Sequence, residues 1–312
     1  MIVVAVPAVI LAAASLAAFG GALIWWLDVI ANFRAQFVVV LVVLGLVLMV
    51  AKWRRTGLGV FAAAAVNLAV VLPLYIGSPA DESIDQPTLT VMSFNLLSTN
   101  KSYSEVIEFI RSTNPDVVLL HEASRPWEVA VDAAALDHQM IRARSDELIF
   151  GTLVLVRGED VTAVSHGFAT ANPRAVEIRF VPDEWDSEVL LLGTHPVAPT
   201  DQERAGLRDA QLEFAGNWAS RQNGFFVVAG DFNATPWSSP FRHLLDAADL
   251  RNSQSGFGLQ PTFSAQANPL LRVPIDHLLH SGALEVVRRE LGPALGSDHF
   301  PLLVTLQPTS SP

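Results

Sequence analysis

The chain opens on apolar positions almost without interruption and becomes alternating and polar only after about residue 78. Residues 2–27, IVVAVPAVILAAASLAAFGGALIWWL, hold no ionisable side chain, a run longer than the ~20 residues needed to cross a hydrocarbon core. Residues 35–53 read as a second span, with Phe33 and Trp53 as interfacial aromatics, and residues 57–77 as a third, with Pro73 near its end. A cleaved secretory signal would need a basic leading segment and an apolar core of ~7–15 residues, and 2–27 has neither. The pattern therefore predicts three transmembrane helices, at about 2–27, 35–53 and 57–77.

Ser78-Pro79-Ala80-Asp81-Glu82-Ser83 brings chain breakers and charge, which predicts a linker at 78–87, a folded domain at 88–307 and a short tail at 308–312. Residues 88–94 are β-branched and strand-like. Residues 102–111 have helical spacing: Ser102 and Glu105 stand as a capping box, Val106, Ile107 and Ile110 form a stripe, and Asn114-Pro115 ends it. A buried strand follows at 116–122. Further strands are predicted at 150–156, 175–181, 188–195, 225–231, 275–280, 284–290 and 300–306, and helices at 202–222 and 240–247. Strands in hairpin-like succession with isolated helices lack the rhythm of a doubly wound sheet. They predict an α+β sandwich, two sheets face to face with helices outside.

Charge adds an orientation. The 312 residues carry a net charge of −11, yet residues 1–79 contain one acidic and four basic side chains, leaving −14 on the remainder. Lys52-Trp53-Arg54-Arg55 places the loop between the second and third spans in the cytoplasm. The amino terminus is then cytoplasmic, the 28–36 loop lies outside, and the domain after the third span is extracytoplasmic. With 51% hydrophobic and only 16% charged residues, disorder and a wholly soluble single domain are both excluded. The absence of cysteine excludes disulfides, thiolate zinc sites and a cysteine nucleophile.

Short polar clusters stand where the apolar strands end or begin: Phe94-Asn95-Leu96, His121-Glu122, Thr194-His195-Pro196, Gly230-Asp231-Phe232-Asn233, Asp276-His277 and Ser297-Asp298-His299. Each alone is compatible with turn or cap chemistry. Six at strand ends are a site. Carboxylate and amide oxygens with few histidines suit Mg²⁺ or Mn²⁺ better than Zn²⁺, and phosphate-ester hydrolysis needs a cation, a base and charge-stabilising donors.

The ordered set closely resembles the endonuclease/exonuclease/phosphatase, or DNase I-like, superfamily of metal-dependent phosphoesterases, with GDFN and SDH its most recognisable motifs, over about residues 88–307. The resemblance implies a four-layer sandwich with its site at one edge. It further implies Glu122 as first metal ligand with Asn95 and Asp298 near the same ion, Asp231 orienting or deprotonating water, Asn233 on a phosphate oxygen, His299 paired with Asp276, and His195 near the leaving oxygen. Leu97 stands where many members carry an acidic residue, which implies a lighter metal shell. Arg174 offers a planar fork to a substrate anion. Arg204 and Arg208, four apart on a helix, read as a solvated face. His277 and His280 read as structural, and Trp127, Trp185 and Trp237 as packing.

Three spans followed by an outward domain also resemble the glycopeptide-resistance-associated membrane proteins of this superfamily, which implies a role at the bacterial envelope. The leading expectation is a membrane-anchored phosphohydrolase acting on a lipid-linked phosphate or pyrophosphate, with the bilayer and that lipid as partners and no protein partner. A surface nuclease is the alternative, although a net −14 offers no basic stripe to nucleic acid. A catalytically silent lipid- or partner-binding domain is the third reading.

Overall fold

The computed structural model describes residues 2–143, 150–167 and 173–309. Four helices come first: α1 (Ile2–Ala17), continued by a 3-10 turn Ala18–Ala22, then α2 (Trp25–Ala31), α3 (Arg34–Val50) and α4 (Arg54–Val71), continued by Leu72–Tyr75. Ile2–Ala22 and Arg54–Tyr75 are long and apolar enough to cross a membrane. α2 and α3 make a third such span only if counted together across a 66° bend. The first predicted span thus stops short of residue 27, and the expected outer loop at 28–36 is largely helical. Gly20-Gly21 interrupt α1, as weak helix formers do, and Gly21 packs against the Asp28 backbone where a Cβ would meet Cα at 2.9 Å.

The head is apolar on the outside. Val39, Val43 and Leu46 are exposed, while inside the bundle Arg34 Nη1 donates to Asn67 Oδ1 (2.9 Å) and Asn67 Nδ2 donates to Ser15 Oγ (3.0 Å). The Arg34 guanidinium lies 3.8 Å from the Phe19 ring centroid. Polar groups turned inward and, apart from Arg34 Nε, bonded to one another, with aliphatic groups outside, are what a hydrocarbon surrounding demands.

The sandwich follows in the order β1 (Leu89–Asn95), α5 (Tyr103–Thr113), β2 (Val117–Ser124), α6 (Arg125–Ala133), β3 (Gln139–Ala143), β4 (Phe150–Val156), β5 (Glu159–Gly167), β6 (Pro173–Val181) and β7 (Val189–Thr194). Then come α7 (Gln202–Ala219), β8 (Phe226–Asp231), α8 (Ser239–Ala247), β9 (Arg251–Asn252), β10 (Asp276–His280), β11 (Leu284–Leu291) and β12 (Leu302–Pro308). The described strands form two mixed six-stranded sheets, ordered β11-β12-β1-β2-β4-β3 and β5-β6-β7-β8-β10-β9. Their inner faces meet in a core that includes Val91, Leu119, Val227 and Leu278. α7 and α8 cover the outer face of the second sheet through Leu212, Phe241 and Leu244, and α5 and α6 that of the first through Ile110 and Trp127. This is the four-layer α+β sandwich that the strand pattern predicts.

Strand direction places the polar clusters. β1 and β2 run parallel in one sheet, β7 and β8 in the other, so all four carboxyl ends reach the same edge. β10 runs antiparallel to β8 and starts there, with Asp276 opposite Asp231.

Four elements lie outside the predicted set. β5 is exposed along nearly its whole length and so lacks an alternating pattern, β9 is two residues long, β3 has a weak period, and α6 begins within Arg125-Pro126 directly after a strand. Ser102 makes no side-chain cap on α5, whereas Asp201 caps α7 by accepting from the Arg204 amide (2.9 Å). The predicted linker is pinned along the β11 and β12 strands: Ala80 N donates to Val286 O, Ser83 N to Gln307 Oε1 and Gln307 Nε2 to Asp81 O.

Candidate active site

The edge where the strand ends converge holds a cavity of about 220 Å³, whose walls include Asn95, Glu122, His195, Asp231, Asn233 and His299. Asp298, Arg204 and Phe263 complete the mouth. Near the end of β8, Gly230 takes φ +146° and packs so closely on neighbouring β7 that any Cβ would collide with the Thr194 carbonyl. Only glycine satisfies both conditions.

Asn95 lies at the centre. Its Nδ2 donates to Asp231 Oδ2 (3.0 Å) and Glu122 Oε1 (3.3 Å), joining carboxylates from different sheets, and its Oδ1 accepts from the Leu97 amide (3.1 Å). Glu122 Oε2 accepts from the Ser98 amide (3.0 Å). Glu122 sits within a bulge in the β2–β4 pairing at φ +56°, Leu97 at +61° and Asn233 at +49°. For Glu and Leu this left-handed backbone is uncommon and costs energy, as at many functional sites.

Asp276 is fully buried and its Oδ2 lies 2.8 Å from His299 Nδ1. Thr262 Oγ1 accepts from the amides of Ile275 and Asp276 and fixes the start of β10. The pair turns His299 Nε2 toward Asp231 Oδ2 at 3.7 Å, and His195 Nε2 approaches the same oxygen at 3.6 Å. Burial alone would depress His299, but the charges of Asp276 and Asp231 push it up to about 10. Burial, and then repulsion from Asp276, raise Asp231 to about 7. Burial opposes ionisation of Asp276 too, yet the His299 charge and hydrogen bond outweigh it and hold its pKa below the usual carboxylate range. The site therefore keeps a cationic donor beside a carboxyl poised near neutrality.

Asp231, Asp276 and His299 bring ligand-type atoms within 4.8 Å of one another. The short His299–Asp276 hydrogen bond marks two of them as a proton-sharing pair, not a cation cage. The oxygens of Glu122, Asp231 and Asp298 around one cavity fit a hard divalent cation. Glu122, with Asn95 and Asp298 beside it, would hold that ion.

Eight of the nine predicted site residues, Asn95, Glu122, His195, Asp231, Asn233, Asp276, Asp298 and His299, gather at this edge. Arg174 lies at the start of β6, and its side chain is outside the described residues. Of the predicted solvated face, Arg204 is exposed as expected and Arg208 is not. Arg204 lines the cavity and its Nε donates to Ala198 O (3.0 Å), while Arg208 is buried at 1% exposure beneath Asn233. Their i, i+4 spacing is the same for a solvated or a buried face, so the sequence carried no signal to separate them. His277 is buried with Nε2 2.8 Å from Ala234 O, and Trp127 and Trp185 are packed in the cores. Trp237 packs against Ala18, Ala31, Val71 and Leu74 of the head.

This edge geometry, built on two mixed sheets, defines a phosphoesterase-type fold. The chain matches the Endonuclease/Exonuclease/phosphatase family over residues 92–299 and belongs to it. Among solved structures it is similar to the catalytic domain of human Nocturnin with bound sulfate (20% identity, 76% of this chain and 99% of that one, TM-score 0.57). It is likewise similar to truncated Caenorhabditis elegans TDP2 (17% identity, 70% and 97%, TM-score 0.56). A third is an endonuclease/exonuclease/phosphatase from Beutenbergia cavernae (18% identity, 72% of each chain, TM-score 0.58). No curated protein sequence matches the chain. Members of the family are hydrolytic phosphoesterases that generally depend on a divalent metal.

Proposed function

We propose that this protein is a membrane-anchored, Mg²⁺- or Mn²⁺-dependent phosphohydrolase acting on a lipid-linked phosphate or pyrophosphate at the outer face of the bilayer. The observation that carries the proposal is the distance between site and head: α7 lines the cavity with Arg204 and, one turn on, binds Asp28 of the head through Arg208. That shared helix supports access to the cavity for lipid in a bilayer around the head.

Asp231 accepts a proton from the attacking water, which its pKa near neutrality permits. His299, held cationic by Asp276, stabilises charge on the phosphoryl oxygens. Asn233 binds one of those oxygens, and His195 supplies a proton to the oxygen that leaves as its bond to phosphorus breaks. A divalent ion at Glu122, when bound, neutralises phosphoryl charge as a Lewis acid. Pro196, Val197 and Phe263 give the mouth an apolar side suited to a lipid chain.

The same bundle supports the proposed orientation. Both Gln36 and Leu74 bond to the sandwich, and the basic residues Lys52, Arg54 and Arg55 lie at the far ends of α3 and α4, which supports a cytoplasmic loop and an extracytoplasmic site. A nuclease is the second reading. It is favoured by the similar fold of Danio rerio TDP2, solved with a single-stranded DNA product (16% identity, TM-score 0.58), and disfavoured by the acidity of the domain.

The test offers purified full-length protein a polyprenyl pyrophosphate, phospholipids and DNA in parallel with Mg²⁺, with Glu122→Ala and His299→Ala as controls. Phosphate release from lipid that both substitutions abolish upholds the proposal. Cleavage of DNA alone overturns it in favour of the nuclease, and silence throughout favours the binding domain.

A further inference from the structure

The junction between head and sandwich contains a buried ion pair that phosphoester chemistry does not itself require. Asp28 of α2 is 2% exposed and Arg208 of α7 is 1% exposed. Asp28 Oδ2 accepts from Arg208 Nη2 (2.9 Å) and Asp28 Oδ1 from the Ser239 amide (2.9 Å). The guanidinium is used on all sides: Nε donates to Asp209 Oδ1 (2.7 Å) and Nη1 to the carbonyl oxygen of Asn233 (3.1 Å). One helical turn after Asp28, Asn32 Oδ1 accepts from Thr235 Oγ1 (2.9 Å).

Every one of these bonds from the head reaches, directly or through Arg208, the segment from Asn233 to Ser239. That segment begins at a site residue in left-handed backbone and leads out of Asp231. Apart from Arg208, the sandwich holds the start of the segment by Asn233 N to Asp231 Oδ1 (3.0 Å), Asn233 Nδ2 to Pro196 O (3.0 Å), His277 to Ala234 O and the burial of Ala234 in its core, and none of these bonds reaches the Asn233 carbonyl. Simple attachment of head to sandwich would be served as well by apolar contact, because a buried ion pair gains little over a hydrophobic replacement. What the pair supplies and packing cannot is a directed donor on the Asn233 carbonyl.

We infer that Asp28, Arg208 and Asn32 are positioning residues, through which the membrane head holds Asn233 and Asp231 in the geometry that hydrolysis requires. This rests on the phosphoesterase reading above, and it makes the head part of the catalytic architecture as well as an anchor.

The test uses full-length protein in detergent or nanodiscs with Mg²⁺ and bis(p-nitrophenyl) phosphate, a soluble diester that needs no bilayer. Hydrogen exchange at the backbone amides of 233–239 is the second readout. Misplacement of a reacting group by ~1 Å costs on the order of 10²-fold. Asp28→Asn and Arg208→Lys are therefore expected to lower kcat about 10- to 100-fold with KM changed less than about threefold, and to speed exchange across 233–239. Asn32→Ala acts in the same direction and more weakly. Gln36→Ala removes a bond across the same junction, to the Arg272 carbonyl, and leaves both readouts unchanged.

If Asp28→Asn fails to fold, Arg208→Lys, which keeps the charge, and Asn32→Ala carry the test. Unchanged exchange in both overturns the inference, as does faster exchange with unaltered kcat, which would make the contact purely structural. Should the unsubstituted protein hydrolyse no phosphoester, the functional proposal falls, while exchange at 233–239 still decides whether the head holds the segment.

Discussion

In the head, Val39, Val43 and Leu46 point outward and Arg34, Asn67 and Ser15 point in; in the sandwich, Val91, Leu119 and Val227 fill the interior while polar side chains take the surface. The same physics produces both arrangements, because each hides from its surroundings what those surroundings cannot solvate. The contrast teaches where to look for cost. A buried charge costs least when it is completely paired, and Asp28 with Arg208 meets that condition where, among the described residues, the two regions share a polar contact with the site.

The largest break in the comparison comes from the site itself. Glu122→Ala or His299→Ala is expected to lower kcat by about 10³-fold or more; Glu122→Ala leaves the thermal transition of the sandwich nearly in place, whereas His299→Ala also lowers it by stranding the buried Asp276 carboxylate, as steady-state kinetics and calorimetry would show. Next is Arg208→Met, which strands the Asp28 carboxylate. Breaking a buried pair from one side costs about 3–5 kcal/mol, so the unfolding midpoint should drop markedly, and a fall no larger than that of a surface substitution would show the junction to be solvated.

A pH effect separates the regions further. His121 and His277, both fully buried in the sandwich, are lowered by burial to about 4 and about 3. The unfolded chain takes up protons near pH 6.5 while the folded one resists until about 4 or below, so these histidines contribute stability above pH 6.5 that is lost as pH falls toward 4. Asp231, raised by burial to about 7, takes up its proton in the same window and works the other way. The histidine effect is therefore read in an Asp231→Asn background, where the sandwich is expected to lose about 5 °C or more of Tm between pH 7 and pH 4.5 and a flat profile would contradict the burial of the two histidines. The smallest effect belongs to the head: Asn67→Leu deletes the hydrogen bonds to Arg34 and Ser15 and should cost about 0.6–2 kcal/mol of helix association, read as lower resistance of the head to denaturing detergent with the site unaffected.

The sandwich and its site were legible in the sequence because apolar strands end at a parallel edge, so each polar cluster after TVMSF, VVLL, LLLGT or FVVAG falls at the same end of the molecule. Leu97 was readable as a departure, but the left-handed turns at Leu97 and Glu122 were not, since neither residue type announces positive φ. Nor was the junction. Asp28 and Arg208 are 180 residues apart, and an arginine four residues from another on a helix looks the same whether it faces water or a buried carboxylate. The bend between α2 and α3 falls within the polar stretch 28–36, which the pattern reads as a loop; polarity reports the surroundings of a segment and not whether its backbone is helical.

The central claim is that a phosphoesterase site serves lipids of the bilayer that holds its own head. The most direct measurement reconstitutes the full-length protein in vesicles with Mg²⁺ and compares phosphate release from a polyprenyl pyrophosphate placed in the same bilayer with release from that lipid in separate, protein-free vesicles. The account predicts hydrolysis in the shared bilayer, little in the separate one, and none for Glu122→Ala. Equal silence toward lipid in both, with rapid hydrolysis of dissolved DNA, would contradict it.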